Sequence, residues 1–99
     1  MADKISPVHP GTILLEDYLK PLGISMNHLA RSMRVPVNRI TDICNCKRSI
    51  TADTAMRLGV ALGTSAEVWM GLQMDYDLDS AQDRFIEMIM EEVIPLVVT

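Results

Sequence analysis

The sequence predicts an all-α fold: a five-helix core, an extra C-terminal helix and a short extended tail. Three observations predict it. Apolar residues recur at three- and four-residue spacing through most of the chain, helix-starting and helix-ending residues punctuate that pattern at short intervals, and no strand alternation precedes residue 95. Ninety-nine residues with 48% hydrophobic content suffice for one core and not for two.

The first helix carries Ile13, Leu14, Tyr18 and Leu22 at helical spacing and is closed by Pro21 to Gly23. Ser25 is a good N-cap for a second, with Leu29, Ala30 and Met33 facing inward. Pro36 fits the first turn of a third, where its missing N–H is harmless, and Ile40, Ile43 and Cys44 face inward up to Asn45. A fourth follows Thr51, with Ala55, Leu58, Gly59 and Leu62 on one face, and stops at Gly63, which suits a left-handed cap. Ser65 caps a fifth, with Val68, Trp69, Leu72 and Tyr76 inside.

Residues 75–80, DYDLDS, read as a polar link. From Ser80 the apolar Phe85, Ile86, Ile89, Met90, Val93 and Ile94 alternate with acids on a last helix that Pro95 ends, and LVVT reads as extended. The division expected is therefore a helix-turn-helix part, residues 1–78, and a C-terminal helix and tail, residues 79–99. The apolar face of that last helix is wide, so it should be covered by the chain's own core or by a second chain. Phe85, Ile86, Ile89, Val93 and Leu96, continuing to Val98, are the candidate dimer seam.

Charge is divided along the chain, whose net value is −4. In residues 25–50, Arg31, Arg34, Arg39, Lys47 and Arg48 oppose only Asp42; in residues 67–99, Arg84 alone opposes Glu67, Asp75, Asp77, Asp79, Asp83, Glu87, Glu91 and Glu92. The basic part suits an anion and the acidic part a cation, unless both are simply solvated faces. No stretch approaches the roughly 20 apolar residues of a membrane span, and MADKISPVHPG lacks a signal-peptide pattern, so a cytoplasmic protein is expected.

SMNHLARSMR and PVNRITDICN are separated by almost nothing, the arrangement of a helix-turn-helix. Ala30 permits close crossing, and Leu29, Met33, Val35, Ile40 and Ile43 fall on buried positions. Asn38, Thr41, Asp42 and Asn45 are then left facing outward, with Arg39 at the edge of their stripe. Short hydrogen-bonding side chains and one arginine suit base edges, while Lys47 and Arg48 in the next loop suit phosphates. An acidic total does not oppose this, because positive charge is needed only where a duplex lies.

Residues 9–78 resemble HigA/VapI-type antitoxins of the Xre helix-turn-helix superfamily, through HPG, PLG, NRI, ITADTA, GTS and W-x-x-L-Q in that order. The resemblance implies a lambda-repressor-like core, a homodimer that represses its own operon by binding double-stranded operator DNA, and neutralisation of a RelE/HigB-like mRNA-cleaving toxin. On that layout Val37, Asn38, Arg39, Thr41 and Asp42 read bases, and Asn27, Asn45, Lys47 and Arg48 hold phosphates. A stand-alone Xre-type regulator without a toxin is the alternative. A protein-interaction module with a vestigial helix-turn-helix is a third, disfavoured by the nearly acid-free stripe. Cys46 and Ser49 stand where such proteins commonly have glycine, and Arg34 lies at a turn position that often takes positive φ.

No other chemistry is prominent. Zinc needs four ligands, and beside Cys44 and Cys46 the only other candidates are His9 and His28, neither in ligand spacing with the cysteines or each other, so neither metal nor cofactor is expected. Cys44 reads as core and Cys46 as a loop residue, His28 as solvated, Met33 and Trp69 as packing. Without a Gly-rich phosphate loop, a nucleophile elbow or an acid and histidine cluster, an enzyme is not expected.

Overall fold

The computed structural model describes residues 7–97, and every regular element among them is helical. Helix α1 comprises Pro10–Ile13, a wider π turn at Leu14–Leu19 and a final turn at Lys20–Leu22. The wider turn leads into Pro21, which has no N–H for a regular ladder. Gly23, at φ 66°, provides the left-handed cap.

His9 caps the start of α1: its Nδ1 accepts the Gly11 N–H at 2.8 Å. Gly11 is required for packing, because a Cβ there would overlap the Ile43 carbonyl oxygen. The HPG segment thus joins a cap, a first-turn proline and a close helix crossing.

Helix α2 is Met26–Met33, with Ser25 Oγ accepting the His28 N–H at 3.0 Å. Arg34 ends it at φ 59°, the positive value expected at that turn. Helix α3 is Val37–Cys44. Pro36 lies one residue earlier than expected: it is the extended N-cap, at ψ 144°, rather than part of the first turn. Helix α4 is Ala52–Leu62, between Thr51 and the left-handed Gly63.

Sequence periodicity predicts a link at 75–80 and a separate last helix, but α5 is one continuous helix of 27 residues, Ala66–Glu92. The boundary after Leu78 falls inside it. Neither glycine nor proline interrupts residues 72–92, and Gln73 Nε2 donates to Asp77 Oδ1 at 2.9 Å across one turn. The carboxylates at 75, 77 and 79 remain in solvent on a helix rather than breaking it. Val93 leaves the helix two residues before Pro95, as that proline requires. Residues 93–97 form no strand, and Val98 and Thr99 lie outside the described residues.

The core gathers Leu14, Leu19, Leu29, Ala30, Met33, Ile40, Ile43, Ile50, Ala55, Leu58 and Trp69. Trp69 is fully buried, stacks at a tilt 5.2 Å from Tyr18, and donates its ring N–H to Thr64 Oγ1 at 2.8 Å. Leu22 and Val68, expected to face inward, are exposed: Leu22 is in the last turn of α1 and Val68 in the first turn of α5. The far part of α5 extends past this core and stretches the molecule to 50 Å along its longest axis. Its apolar residues are not covered by the chain's own core; Phe85 is 42% exposed, Ile89 45% and Val93 60%.

Candidate nucleic-acid interface

The two helices at the centre of the motif are held by their buried sides. Leu29, Ala30 and Met33 of α2 meet Ile40 and Ile43 of α3 in the core, and the turn between them is closed by the Val35 N–H donating to the Ala30 carbonyl at 3.1 Å. That packing leaves the opposite face of α3 in solvent. Val37 and Asn38 are exposed there, and Arg39, Thr41 and Asp42 are half-buried at its margins.

Three of these side chains have partners within the chain. Arg39 Nη1 donates to Asp53 Oδ2 at 2.8 Å, and Arg48 Nη2 pairs with Asp42 Oδ2 at 3.3 Å. Thr41 Oγ1 turns back to the Asn38 carbonyl at 3.3 Å, as helical threonines do. The base-reading candidate Asp42 and the phosphate candidate Arg48 are therefore one ion pair, while Arg39 is tied to α4.

The loop after α3 is shaped by Cys46. It holds φ 62°, a conformation that costs a residue with a Cβ roughly 1–2 kcal/mol. Its thiol lies 3.4 Å from Thr12 Oγ1, and the Lys47 N–H returns to the Asp42 carbonyl at 2.8 Å. Asn45, Lys47 and Arg48 all project into solvent from this turn, beside the stripe of α3. Asn27 is exposed on the first turn of α2, on a separate element. The seam candidates Phe85, Ile86, Ile89, Val93 and Leu96 belong to the projecting part of α5 and its tail, apart from this face.

Cys44 is buried, and desolvation followed by the neighbouring Cys46 pushes its thiol up to about 11, which keeps it protonated at neutral pH. Cys46 is exposed and unbridged.

Sequence patterns miss the roles of three polar residues that hold this face or the helices behind it. Asp53 accepts from both Arg39 and Arg57, and the Arg57 guanidinium, followed by that of Arg39, holds its carboxyl below the usual range. Gln73, buried on α5, accepts the Ile50 N–H at 2.8 Å and fixes the far end of the basic loop. His9 is the third, through its cap and a 4.9 Å edge contact with the Tyr76 ring. The spacing of Asp53 and Arg57, one helical turn apart, is a signal available in the sequence; the reach of Gln73 to Ile50 is not.

No protein-family model matches the chain. Virulence-associated protein I of Dichelobacter nodosus is 44% identical over 80 residues, covering 81% of this chain and 74% of that protein. Among solved structures, the addiction module antidote protein of the HigA family from Coxiella burnetii superposes with a TM-score of 0.85 at 44% identity, covering 92% of this chain and 99% of that one. The Pseudomonas aeruginosa antitoxin HigA, solved with higBA promoter, gives a TM-score of 0.86 at 41% identity, again covering 92% and 99%. These likenesses extend through the helix-turn-helix and most of α5, and with them the chain belongs to the HigA/VapI-type antitoxins of the Xre helix-turn-helix proteins.

Proposed function

We propose that this protein is a sequence-specific DNA-binding antitoxin: it dimerises on an operator, represses its own toxin–antitoxin operon, and neutralises a RelE/HigB-like mRNA-cleaving toxin. The observation that carries the DNA-binding part is the exposed stripe of α3 beside the basic loop, in a chain that is otherwise acidic. The likeness to an antitoxin solved with promoter DNA supports it. Val37, Asn38, Arg39, Thr41 and Asp42 would meet base edges, and Asn27, Asn45, Lys47 and Arg48 the phosphates on either side.

Residues 1–78 then serve as the DNA-binding part and residues 79–99 as the partner-binding part, with α5 running through both. A repressor of this kind places two recognition helices about 34–36 Å apart on a two-fold axis, which calls for a symmetric seam. Phe85, Ile89 and the end of α5 at Val93 share one side of the helix, with Ile86 at its edge and Leu96 beyond. The same side continues toward the core through Met74, Leu78 and Ala81 at alternating four- and three-residue spacing, the register of paired helices. Met74 and Leu78 are exposed as well, so the seam would start within the DNA-binding part.

The opposite side of α5 carries Glu87 and Glu91, available to a basic toxin after the seam has closed. Glu16 on α1, another acid that a basic toxin could meet, is already paired with Lys20 at 2.7 Å. The test is binding of the purified protein to the duplex upstream of its own gene and to a scrambled duplex, together with survival of cells expressing whatever small basic ribonuclease a neighbouring gene encodes. Preference for the upstream duplex with rescue is the expected result. Preference without rescue would indicate a stand-alone regulator, and equal binding to both duplexes would remove the repressor role.

A further inference from the structure

The first turn of α4 holds an acid at the centre of a network that links three helices. Asp53 Oδ2 accepts from Arg39 Nη1 at 2.8 Å, Arg57 Nε lies 3.2 and 3.0 Å from the two carboxylate oxygens, and Arg57 Nη1 donates to the Met33 carbonyl at 2.7 Å. The first turn of α3 is thereby joined to α4 through the carboxylate, and the end of α2 to the same pair through the Arg57 guanidinium. The three side chains are 30%, 58% and 42% exposed for Arg39, Asp53 and Arg57, and exposed ion pairs add little to stability. What the arrangement supplies is direction. An arginine side chain has several rotatable bonds to immobilise when it meets a base pair, and one already held has lost that freedom beforehand.

We propose that Asp53 is a positioning residue for sequence discrimination: by holding Nη1 of Arg39 it presents the remaining guanidinium edge, Nη2 and Nε, for a bidentate contact to guanine. This rests on α3 being the recognition helix. A guanidinium has five N–H donors, so one bond to Asp53 leaves enough for both guanine acceptors in the major groove. The carboxylate also repels phosphates at close range, so it lowers affinity for DNA in general while sharpening the choice of sequence. A residue present only to hold the fold together would not produce that pair of opposite effects.

The experiment uses the full-length protein and a duplex enriched by the wild type from a randomised pool, against a scrambled duplex of equal length. Wild type, Asp53→Asn, Asp53→Glu, Arg39→Ala and the Asp53→Asn/Arg39→Ala double variant are compared, with thermal melts to verify folding. Asp53→Asn should reduce the preference for the selected duplex by about tenfold, the size of one bidentate base contact, while binding to the scrambled duplex holds or strengthens. Asp53→Glu, which keeps the charge, should stay nearer the wild type, and Asp53→Asn should change nothing further once Arg39 is alanine. If Arg39→Ala lost preference while Asp53→Asn kept it, Asp53 would have no positioning role and α3 would remain the reader. If Asp53→Asn raised preference, Asp53 would be a competitor for Arg39, which overturns the proposal. If Arg39→Ala kept full preference, both the role of Asp53 and base reading through Arg39 would fail together.

Discussion

Gln73 Oε1 accepts the N–H of Ile50 at 2.8 Å, a buried bond that joins α5 to the loop between α3 and α4. Ile50 is the inward anchor of that loop, and Lys47 and Arg48 stand on its outer side. Gln73→Leu keeps the volume but leaves the Ile50 N–H unpaired, which should cost about 1–3 kcal/mol in denaturant unfolding. Because the same bond anchors the basic loop, DNA affinity should fall as well. An unchanged unfolding midpoint would show that the loop finds another acceptor.

His9 provides a pH-dependent element. Its Nδ1 accepts the Gly11 N–H, and burial holds its pKa below the ordinary value of 6.5 despite an opposing pull from Asp77. Its neutral form is therefore the one that caps α1. A depressed histidine contributes stability that is complete above the unfolded pKa and declines as pH falls from about 6.5 toward the lowered folded value. Melting temperature should drop on going from neutral pH to mildly acidic pH. His9→Asn, which can cap without titrating, should flatten that part of the profile. An equal drop in the variant would assign the acid sensitivity to other groups.

Much of this fold is legible in the sequence because its helix ends use local chemistry. Ser25, Ser65, Gly23 and Gly63 act within a few residues of themselves, so their roles follow from residue type and position. The outward stripe of α3 is legible for the same reason, once Ile40 and Ile43 are assigned inward. What periodicity misses is long-range or permissive. Alternate aspartates at 75, 77 and 79 resemble a loop, yet without a glycine or proline they stay helical, and Tyr76 gains its place by meeting His9. The partners of Arg39 and Ile50 come from elements 14 and 23 residues away, beyond the reach of any local pattern.

Base reading and phosphate binding predict different defects. Arg39→Ala should weaken operator binding by about 1–3 kcal/mol and relax sequence preference, because arginine contacts to bases carry information. Lys47→Ala should weaken operator and scrambled duplexes alike and lower the salt slope by about 1, because phosphate contacts do not. Fluorescence anisotropy over a salt series separates the two. Equal losses on both duplexes for Arg39→Ala would remove it from the reading face.

Assembly is tested by the projecting half of α5. Truncation after Asp79 removes Phe85, Ile86, Ile89, Val93 and Leu96 and keeps the core, including Trp69 and Gln73. The shortened protein should sediment as a monomer and bind an operator half-site far more weakly than the full chain binds a paired site, because two linked contacts act at high effective concentration. Phe85→Asp in the full-length chain should have the same effect by placing a charge in the seam. A truncated protein that remained dimeric would exclude these five residues as the seam and leave Met74 and Leu78 as its candidates.

Toxin binding is expected to depend on the acidic side of the same helix. A ribonuclease that approaches ribosome-bound message must meet a polyanion, so a basic surface is favoured, and an acidic antitoxin gains association rate by opposing it. Glu87 and Glu91 lie one turn apart on the side of α5 away from Phe85 and Ile89, whereas Glu92 lies beside the seam stripe. Reversing Glu87 and Glu91 to lysine should therefore slow association with the cognate ribonuclease while leaving the dimer intact. The wild-type rate should fall steeply as salt rises, and the reversed protein should show less of that dependence. Dissociation should change less than association, because charges at a rim steer the encounter more than they hold the complex. Stopped-flow mixing at low and high salt measures both rates. An unchanged association rate at low salt would reduce this side of α5 to a solvated face and move the toxin site to α1, where Asp17 is exposed beside the Glu16 and Lys20 pair.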